Sequence, residues 1–316
     1  MAVNLDKPQR WKEDVALSVD MYNQWFLDFA PETFRATRIT ATASVESSLQ
    51  VTSYLRNIRP ETIRATPSIL STLRMATCPP LAVDRLIGLA GVNPNLVKTM
   101  EKDGRLPARM PAATLLTELQ KIGTIIERMA DPDIFVWLAR GTEPTHDEIH
   151  RAATIVADRL CGAQANPIIR NEQEKRQLEK IKAWLEGRGY TEVEPCARVD
   201  FKDMEPGSFS FRLNVKVRGD SVNIPVDAVI MPLSAKPGDL PLLIEAKSAG
   251  DFTNTNKRRK EEATKMAQLR ESYGDDVRFV LFLCGYFDSG YLGYEAAEGI
   301  DWIWEHRIED MVDLEL

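Results

Sequence analysis

The sequence predicts an α/β (α+β) protein in which a helical N-terminal half precedes a central mixed sheet flanked by helices. Three observations carry this. Up to about residue 144 the apolar residues recur every three or four positions, without long strand-like alternation. Two later runs alternate strictly: Phe209, Phe211, Leu213, Val215, Val217, then Val222, Ile224, Val226, Ala228, Ile230. Two short apolar runs, Leu242–Ala246 and Val277–Cys284, have the length of buried strands. The 316 residues are roughly twice a common domain length, so two domains are expected, a helical one over 1–144 and an α/β one over 145–316.

Each element has its own signal. Trp11, Val15, Val19, Tyr22, Phe26 and Phe29 form one helical stripe, which Pro31 is expected to end. The segment Pro31–Thr37 is echoed by Pro60–Thr66, but two copies fall short of the three or so repeats that a solenoid needs. Leu81–Ala90, the turn Gly91-Val92-Asn93 and Pro94–Lys102 read as helix, turn, helix, with Asn93 as N-cap, Pro94 in the first turn and Gly104 past the end. After Pro144, Thr145 and Glu148 have capping-box spacing and open a helix to about Gly162. Asn166-Pro167 is expected to break the chain, and a second helix runs from Pro167 to Arg188 before Gly189. A strand at Tyr190–Glu194 follows, and the two alternating runs form a hairpin or meander around the turn Arg218-Gly219-Asp220. Leu242–Ala246, a charged helix over 257–273, the strand Val277–Cys284 and a final strand and helix complete the order.

Composition excludes several classes. Lys and Arg number 40 against 47 Asp and Glu, a net charge of −7, with 44% hydrophobic residues, which removes disordered and collagen-like chains. Cys78, Cys161, Cys196 and Cys284 form no Cys-x-x-Cys pair, so neither a zinc knuckle nor a redox motif is expected and the thiols are read as reduced. The first residues lack a signal-peptide pattern and no run approaches a membrane span, so a cytoplasmic protein without membrane association is expected. The acidic total hides a local excess. From Arg35 to Lys98 eight basic residues face three acidic ones, a net +5 that suits either a solvated helical face or a phosphate-facing surface.

The chemistry concentrates in Pro225-Val226-Asp227 and Leu242-Leu243-Ile244-Glu245-Ala246-Lys247. Period-two geometry puts Glu245 and Lys247 on one strand face and Ile244 and Ala246 on the other. If the strand carrying Asp227 pairs alongside, three charged side chains converge. Two buried carboxylates are costly together unless a cation neutralises them. Hard oxygen ligands suit Mg²⁺, and a neighbouring lysine can position or help deprotonate an attacking water, which are the parts that phosphodiester hydrolysis requires.

These two segments resemble the halves of the PD-(D/E)XK nuclease signature. The flanks, Asn-Pro-Ile-Ile-Arg-Asn-Glu-Gln-Glu-Lys-Arg-Gln at 166–177 and Lys-Ser-Ala-Gly-Asp-Phe-Thr-Asn-Thr-Asn-Lys-Arg-Arg-Lys-Glu-Glu at 247–262, resemble the XamI-type restriction endonucleases. The resemblance covers residues 145–316 and extends less closely over the helical half. It implies a PD-(D/E)XK restriction-endonuclease-like core and a Mg²⁺-dependent type II restriction endonuclease. Such an enzyme cuts double-stranded DNA at a short palindrome as a homodimer, leaves 5′-phosphate and 3′-hydroxyl ends, and has a cognate DNA methyltransferase as its functional partner. It makes GTCGAC the first palindrome to test. Carried over by motif, Asp227 and Glu245 bind metal and Lys247 acts on the nucleophile.

That superfamily often adds a carboxylate from the preceding helix, where Glu172, Glu174 and Glu179 stand. Glu174 is the choice of the three, because it aligns with Leu178, Ile181 and Leu185, whereas Glu172 leads to Lys175 and Arg176 on the wet side. Lys257, Arg258, Arg259 and Lys260 open the helix that follows the Glu-Ala-Lys strand, capped by one of Asn254, Thr255 or Asn256. Lys257 with Glu261 and Arg258 with Glu262 have i,i+4 spacing and read as a solvated face, while the basic side chains are also placed for backbone phosphate. In the first half, a helix-turn-helix would present Asn95, Lys98 and Lys102 to a major groove, although packing helices share this spacing. Two patterns are set aside. His146-Asp147-Glu148-Ile149-His150 lacks a Glu directly after its first His, and the glycine-rich 285–294 segment lacks the Lys-Ser/Thr ending of a phosphate loop. The competing readings are a repair, junction-resolving or modification-dependent nuclease, or a non-catalytic helix-turn-helix DNA-binding regulator.

Overall fold

The computed structural model describes residues 2–194, 201–217, 222–253 and 255–316, the last without the side chains of 255–258. Cys196 and the expected turn Arg218-Gly219-Asp220 lie outside the described residues. The chain divides into two compact units, residues 30–168 and residues 1–29 with 169–316.

The helices, in chain order, are α1 (Pro8–Val51), α2 (Pro60–Ala65), α3 (Leu70–Met75), α4 (Val83–Ala90), α5 (Pro94–Asp103), α6 (Ala112–Met129), α7 (Val136–Arg140), α8 (His146–Glu186), α9 (Thr255–Tyr273) and α10 (Ser289–Ala297). The unit of residues 30–168 is all-helical apart from an isolated bridge between Thr77 and Ala130, and its core joins Val45, Leu49, Leu73, Leu96, Ile122, Trp137 and Val156. Helix α6 passes so close to Ile58 that a Cβ on Gly123 would stand 2.6 Å from the Ile58 carbonyl oxygen. The α4–turn–α5 pair forms as the sequence predicts. Asn93 accepts the Asn95 N–H at 2.9 Å, and Gly91 and Gly104 close the two helices in left-handed conformation. Glu148 and Thr145 form the capping box reciprocally, at 3.3 Å and 2.8 Å.

Both expected proline breaks are overridden. Helix α1 continues through Pro31 and α8 through Pro167. A proline removes one ladder bond and displaces one carbonyl, but flanking turns held by packing let the helix continue. In α1, Trp11 and Val15 pack in the sheet-bearing unit while Ala41, Val45 and Leu49 are buried in the other. In α8, Val156 and Leu160 are anchored in the helical unit, and Leu178, Ile181 and Leu185 in the other.

Among the described residues the second unit has six strands: β1 (Thr191–Glu192), β2 (Ser208–Val217), β3 (Val222–Ile230), β4 (Leu242–Ala249), β5 (Arg278–Gly285) and β6 (Asp301–Trp304). They lie in the order β1-β2-β3-β4-β5-β6, antiparallel across β2-β3-β4 and parallel at β1-β2 and β4-β5-β6. One face of β4–β6 packs on α8 through Leu242, Ile244, Phe282 and Ile303; the other packs on α9 and α10 through Leu243, Leu281, Leu283 and Trp304. The N-terminal residues join this unit, where the Asp301 carboxylate accepts the Asn4 N–H at 2.9 Å.

The β2–β3 hairpin changes partners along its length. Phe209, Phe211, Ala228 and Ile230 belong to the α8 side, whereas Leu213, Val215, Ile224 and Val226 belong to the α9 side, without any change in their sequence parity. The change falls at Arg212, whose φ of 55° is left-handed inside a strand, and at Asp227, which continues the register opposite it between the Phe211–Ala228 and Leu213–Val226 pairs. A non-glycine residue in that region costs on the order of 1 kcal/mol or more and turns the strand over. Nothing in the strict alternation of these strands predicts it.

Candidate active site

Strands β3 and β4 pair through Ile230–Leu242, Val229–Leu243 and Ala228–Ile244, and there the pairing stops. One step on, the register would place Asp227 opposite Glu245. The strands splay at this step. Asp227 Oδ2 takes the Ala246 N–H at 2.8 Å, so a side chain replaces the backbone partner that β4 has lost. Directly opposed residues of an antiparallel pair share a face, and Lys247 lies two residues beyond Glu245 on that same face. The fork therefore gathers the three residues that the sequence singles out.

Its electrostatics are tight. Glu245 is 5% exposed, and its Oε1 accepts from Lys247 Nζ at 2.9 Å and from Lys265 Nζ at 2.6 Å. Burial raises the pKa of Asp227 to about 6, reinforced by the Glu245 charge and opposed by the Ala246 hydrogen bond and Lys247. Burial would lower the Lys247 pKa, but the Glu245 charge and hydrogen bond, with Glu262 and Asp227, carry it above the usual lysine value. Lys247 Nζ also stands 3.7 Å from Glu262 Oε1. Its carbonyl is fixed from behind, accepting at 3.3 Å from Gln177 Nε2, which also donates at 3.2 Å to Phe282 O and ties α8 to β4 and β5.

The helix-borne carboxylates separate cleanly. Glu174 accepts from Arg212 Nη2 at 3.1 Å and contributes to the raised Asp227 pKa. Glu172 and Glu179 instead flank Lys175, at 3.8 Å and 3.5 Å. Of the basic run at the start of α9, the side chains of Lys257 and Arg258 lie outside the described residues. Arg259 sits over the Tyr294 ring at 3.6 Å, and Lys260 is exposed. Glu262, read from sequence as part of a solvated face, is 1% exposed. The correction has a simple cause: Glu262, Met266 and Leu269 form one helical stripe, and α9 lays it on the sheet. In the helical unit, Asn95, Lys98 and Lys102 share the exposed face of α5, with Lys98 3.5 Å from Asp84.

Sequence reasoning missed Lys265, Glu262, Gln177 and Arg212. The stripe argument that selects Glu174 on α8, applied to α9, would have found Glu262 and its neighbour Lys265. Arg212 carried no signal, because its role follows from a backbone conformation.

The profile of the XamI restriction endonuclease family matches residues 53–304. The type II restriction enzyme SalI of Streptomyces albus G is 54% identical over 312 residues, 98% of each chain. The chain belongs to the XamI restriction endonuclease family. The type II restriction enzyme XamI of Xanthomonas campestris pv. amaranthicola is 26% identical over 197 residues, 62% of this chain and 64% of that one. No solved structure matches. Membership makes the chain a type II site-specific deoxyribonuclease, and no helix among the described residues is long and apolar enough to cross a membrane.

The restriction endonuclease family implies a divalent cation, and the fork fits one. Among the described residues no three His, Cys, Asp or Glu side chains cluster for a metal; the carboxylates at the fork that could hold a cation are Asp227 and Glu245. Mg²⁺ is commonly held this way, by one or two carboxylates completed by water and substrate phosphate. Glu245 Oε2 is buried without a hydrogen-bond partner, a costly arrangement that a cation would resolve.

Proposed function

We propose that the chain is a Mg²⁺-dependent restriction endonuclease that hydrolyses both strands of double-stranded DNA at a short palindrome, with GTCGAC as the first candidate, leaving 5′-phosphate and 3′-hydroxyl ends. The observation that carries the reading is the fork, where pairing stops and Asp227, Glu245 and Lys247 meet on one face. Asp227 and Glu245 would hold Mg²⁺. When bound, the cation supplies Lewis acidity to the scissile phosphate and lowers the cost of deprotonating water. Lys247, charged and anchored by Glu245, orients the attacking water and balances charge as the water oxygen bonds to phosphorus in line with the departing 3′ oxygen. The water's proton passes to bulk solvent, the P–O3′ bond breaks, and the 3′ oxygen takes up a proton from solvent. Glu174, beside Asp227, adds negative charge to the cation side.

Lys257, Arg258, Arg259 and Lys260 are assigned to backbone phosphate, and Asn95, Lys98 and Lys102 to DNA contact by the helical unit. A palindromic target matches a two-fold homodimer, since protein symmetry then mirrors DNA symmetry. A cognate DNA methyltransferase would protect host sites.

The test incubates the protein and its Asp227→Ala and Lys247→Ala variants with unmethylated plasmid DNA in Mg²⁺ and in EDTA, then sequences the ends. Discrete fragments that require Mg²⁺, end within GTCGAC and vanish in both variants support the reading. Full cleavage by Lys247→Ala removes the lysine from the mechanism. Cleavage confined to branched or methylated DNA would make the chain a structure- or modification-dependent nuclease.

A further inference from the structure

Lys247 has two carboxylate neighbours, and the mechanism so far uses only one. Glu245 stands in front at 2.9 Å and belongs to the fork. Glu262, from the second turn of α9, stands behind at 3.7 Å. Its position is costly. It occupies a stripe otherwise filled by Met266 and Leu269, and a buried carboxylate loses several kcal/mol of solvation unless it is paired. Contacts that offset that cost include the Lys247 ammonium at Oε1 and the Tyr291 hydroxyl, which donates to Oε2 at 2.9 Å. Tyr291 is itself buried on α10, so the carboxylate is held from the helix layer while its Oε1 lies beside the lysine.

The two carboxylates differ in what else draws on them. Glu245 is shared with Lys265 at 2.6 Å and is the group that a cation would claim. Glu262 lies on helix α9 rather than on the strand that carries Glu245 and Lys247. A lysine anchored only by Glu245 would lose its hold as that carboxylate turned to a cation; one also anchored by Glu262 keeps its charge and its aim.

We propose that Glu262 is a positioning residue that holds the Lys247 ammonium against the Asp227–Glu245 fork, acting through the lysine and touching neither DNA nor metal. The inference rests on the catalytic role assigned to Lys247.

The experiment compares Glu262→Gln, Glu262→Asp and Lys247→Ala with the wild type. It measures single-turnover cleavage of unmethylated plasmid DNA in Mg²⁺, affinity for a short duplex spanning the mapped cut site in EDTA, and Tm in EDTA. Glu262→Gln keeps the shape and loses the charge, so its cleavage rate is expected to fall roughly 10- to 100-fold, the scale of a misplaced catalytic group. Its affinity should stay within about twofold, well below the tenfold that ~1.4 kcal/mol represents. Its Tm should stay close to that of the wild type, because Lys247 keeps its pair with Glu245. Glu262→Asp keeps the charge and is expected to cleave faster than Glu262→Gln. An active Gln variant beside a slow Asp variant would mean that only shape matters, and the proposal would fall. A wild-type rate in Glu262→Gln beside an inactive Lys247→Ala would also overturn it while leaving the lysine's role intact. An active Lys247→Ala would remove the reading on which it rests. If Glu262→Gln does not fold, Tyr291→Phe decides: loss of one hydrogen bond to Glu262 should slow cleavage about threefold or more, and an unchanged rate refutes the proposal.

Discussion

Asp227→Asn should inactivate the enzyme and stabilise the fold at the same time. The folded pKa of Asp227 is raised from 3.8 to about 6, with burial as the main cause and Glu245 the second. Its sign follows from linkage. A carboxyl that binds its proton more tightly when folded adds nothing below pH 3.8, where both states are protonated. As pH rises to 6 the unfolded chain ionises freely while the folded one resists, and the fold loses stability until both are ionised. Two pKa units amount to about 3 kcal/mol, which the native carboxylate costs at pH 7. Asparagine keeps an oxygen for the Ala246 N–H, so most of that cost should be recovered. Equilibrium urea unfolding in EDTA, followed by tryptophan fluorescence from pH 4.5 to 7.5, reads the difference directly. The variant should gain on the wild type by about 2–3 kcal/mol across the range, a Tm increase of about 5 °C for a chain of this size. Saturating Mg²⁺ should then reverse the order, since a ligand at 100 times its Kd stabilises by about 2.7 kcal/mol only the protein that binds it. A difference that stays flat with pH, an Asn variant less stable than wild type at pH 7, or equal stabilisation of both by Mg²⁺ would refute the argument.

Three further outcomes are expected. Lys265→Ala should slow cleavage at least tenfold and cost about 1–3 kcal/mol, because the buried Glu245 loses its closest cation; a fully active variant would show that Lys247 alone holds that carboxylate. Glu295, fully buried, has its pKa raised to about 8 by burial and then by Glu262, so the fold should lose stability between pH 4.5 and 8. In Glu295→Gln that slope should flatten, and thermal melts at pH 5 and 8 that move in parallel with wild type would contradict the assignment. Replacing Lys98 and Lys102 by Ala should reduce the slope of log K against log salt by about 2 if both meet phosphate. An unchanged slope would return the α5 face to ordinary solvated surface.

The parts of this molecule that follow local rules were legible in the sequence. Alternation located β2 and β3, the apolar runs located β4 and β5, and period two placed Glu245 and Lys247 on one face before any pairing was known. The α4–turn–α5 pair was readable because Asn93, Gly91 and Gly104 each satisfy a backbone need within a few residues. What escaped depended on partners distant in sequence. Pro31 and Pro167 look like breaks until the packing on either side of each is known, and the attachment of residues 1–29 to the sheet-bearing unit rests on Asp301 and Trp302, almost the whole chain away. Glu262 looked solvated because its charged neighbours Arg259, Lys260 and Glu261 set the local composition, while its burial was decided by the face α9 turns to the sheet.

The charges around the fork give a reason for the cation that is independent of family membership. By formal charge at pH 7 among the described side chains, Asp227, Glu245 and Glu262 are three carboxylates beside two lysines, Lys247 and Lys265, and the Glu174–Arg212 pair is neutral in sum. Glu295, with a pKa near 8, is mostly protonated there. These groups sum to one net negative charge in a place where water cannot screen it well, and the Asp227 pKa is raised by burial first and by the Glu245 charge second. A phosphodiester brings another negative charge and would be repelled. A monovalent cation would only neutralise the cluster, whereas a divalent one turns it net positive by one unit, the complement of a single phosphate. On this count a divalent ion suits the fork better than a monovalent one, and either lysine's removal should raise the affinity for Mg²⁺ even as it slows the chemistry.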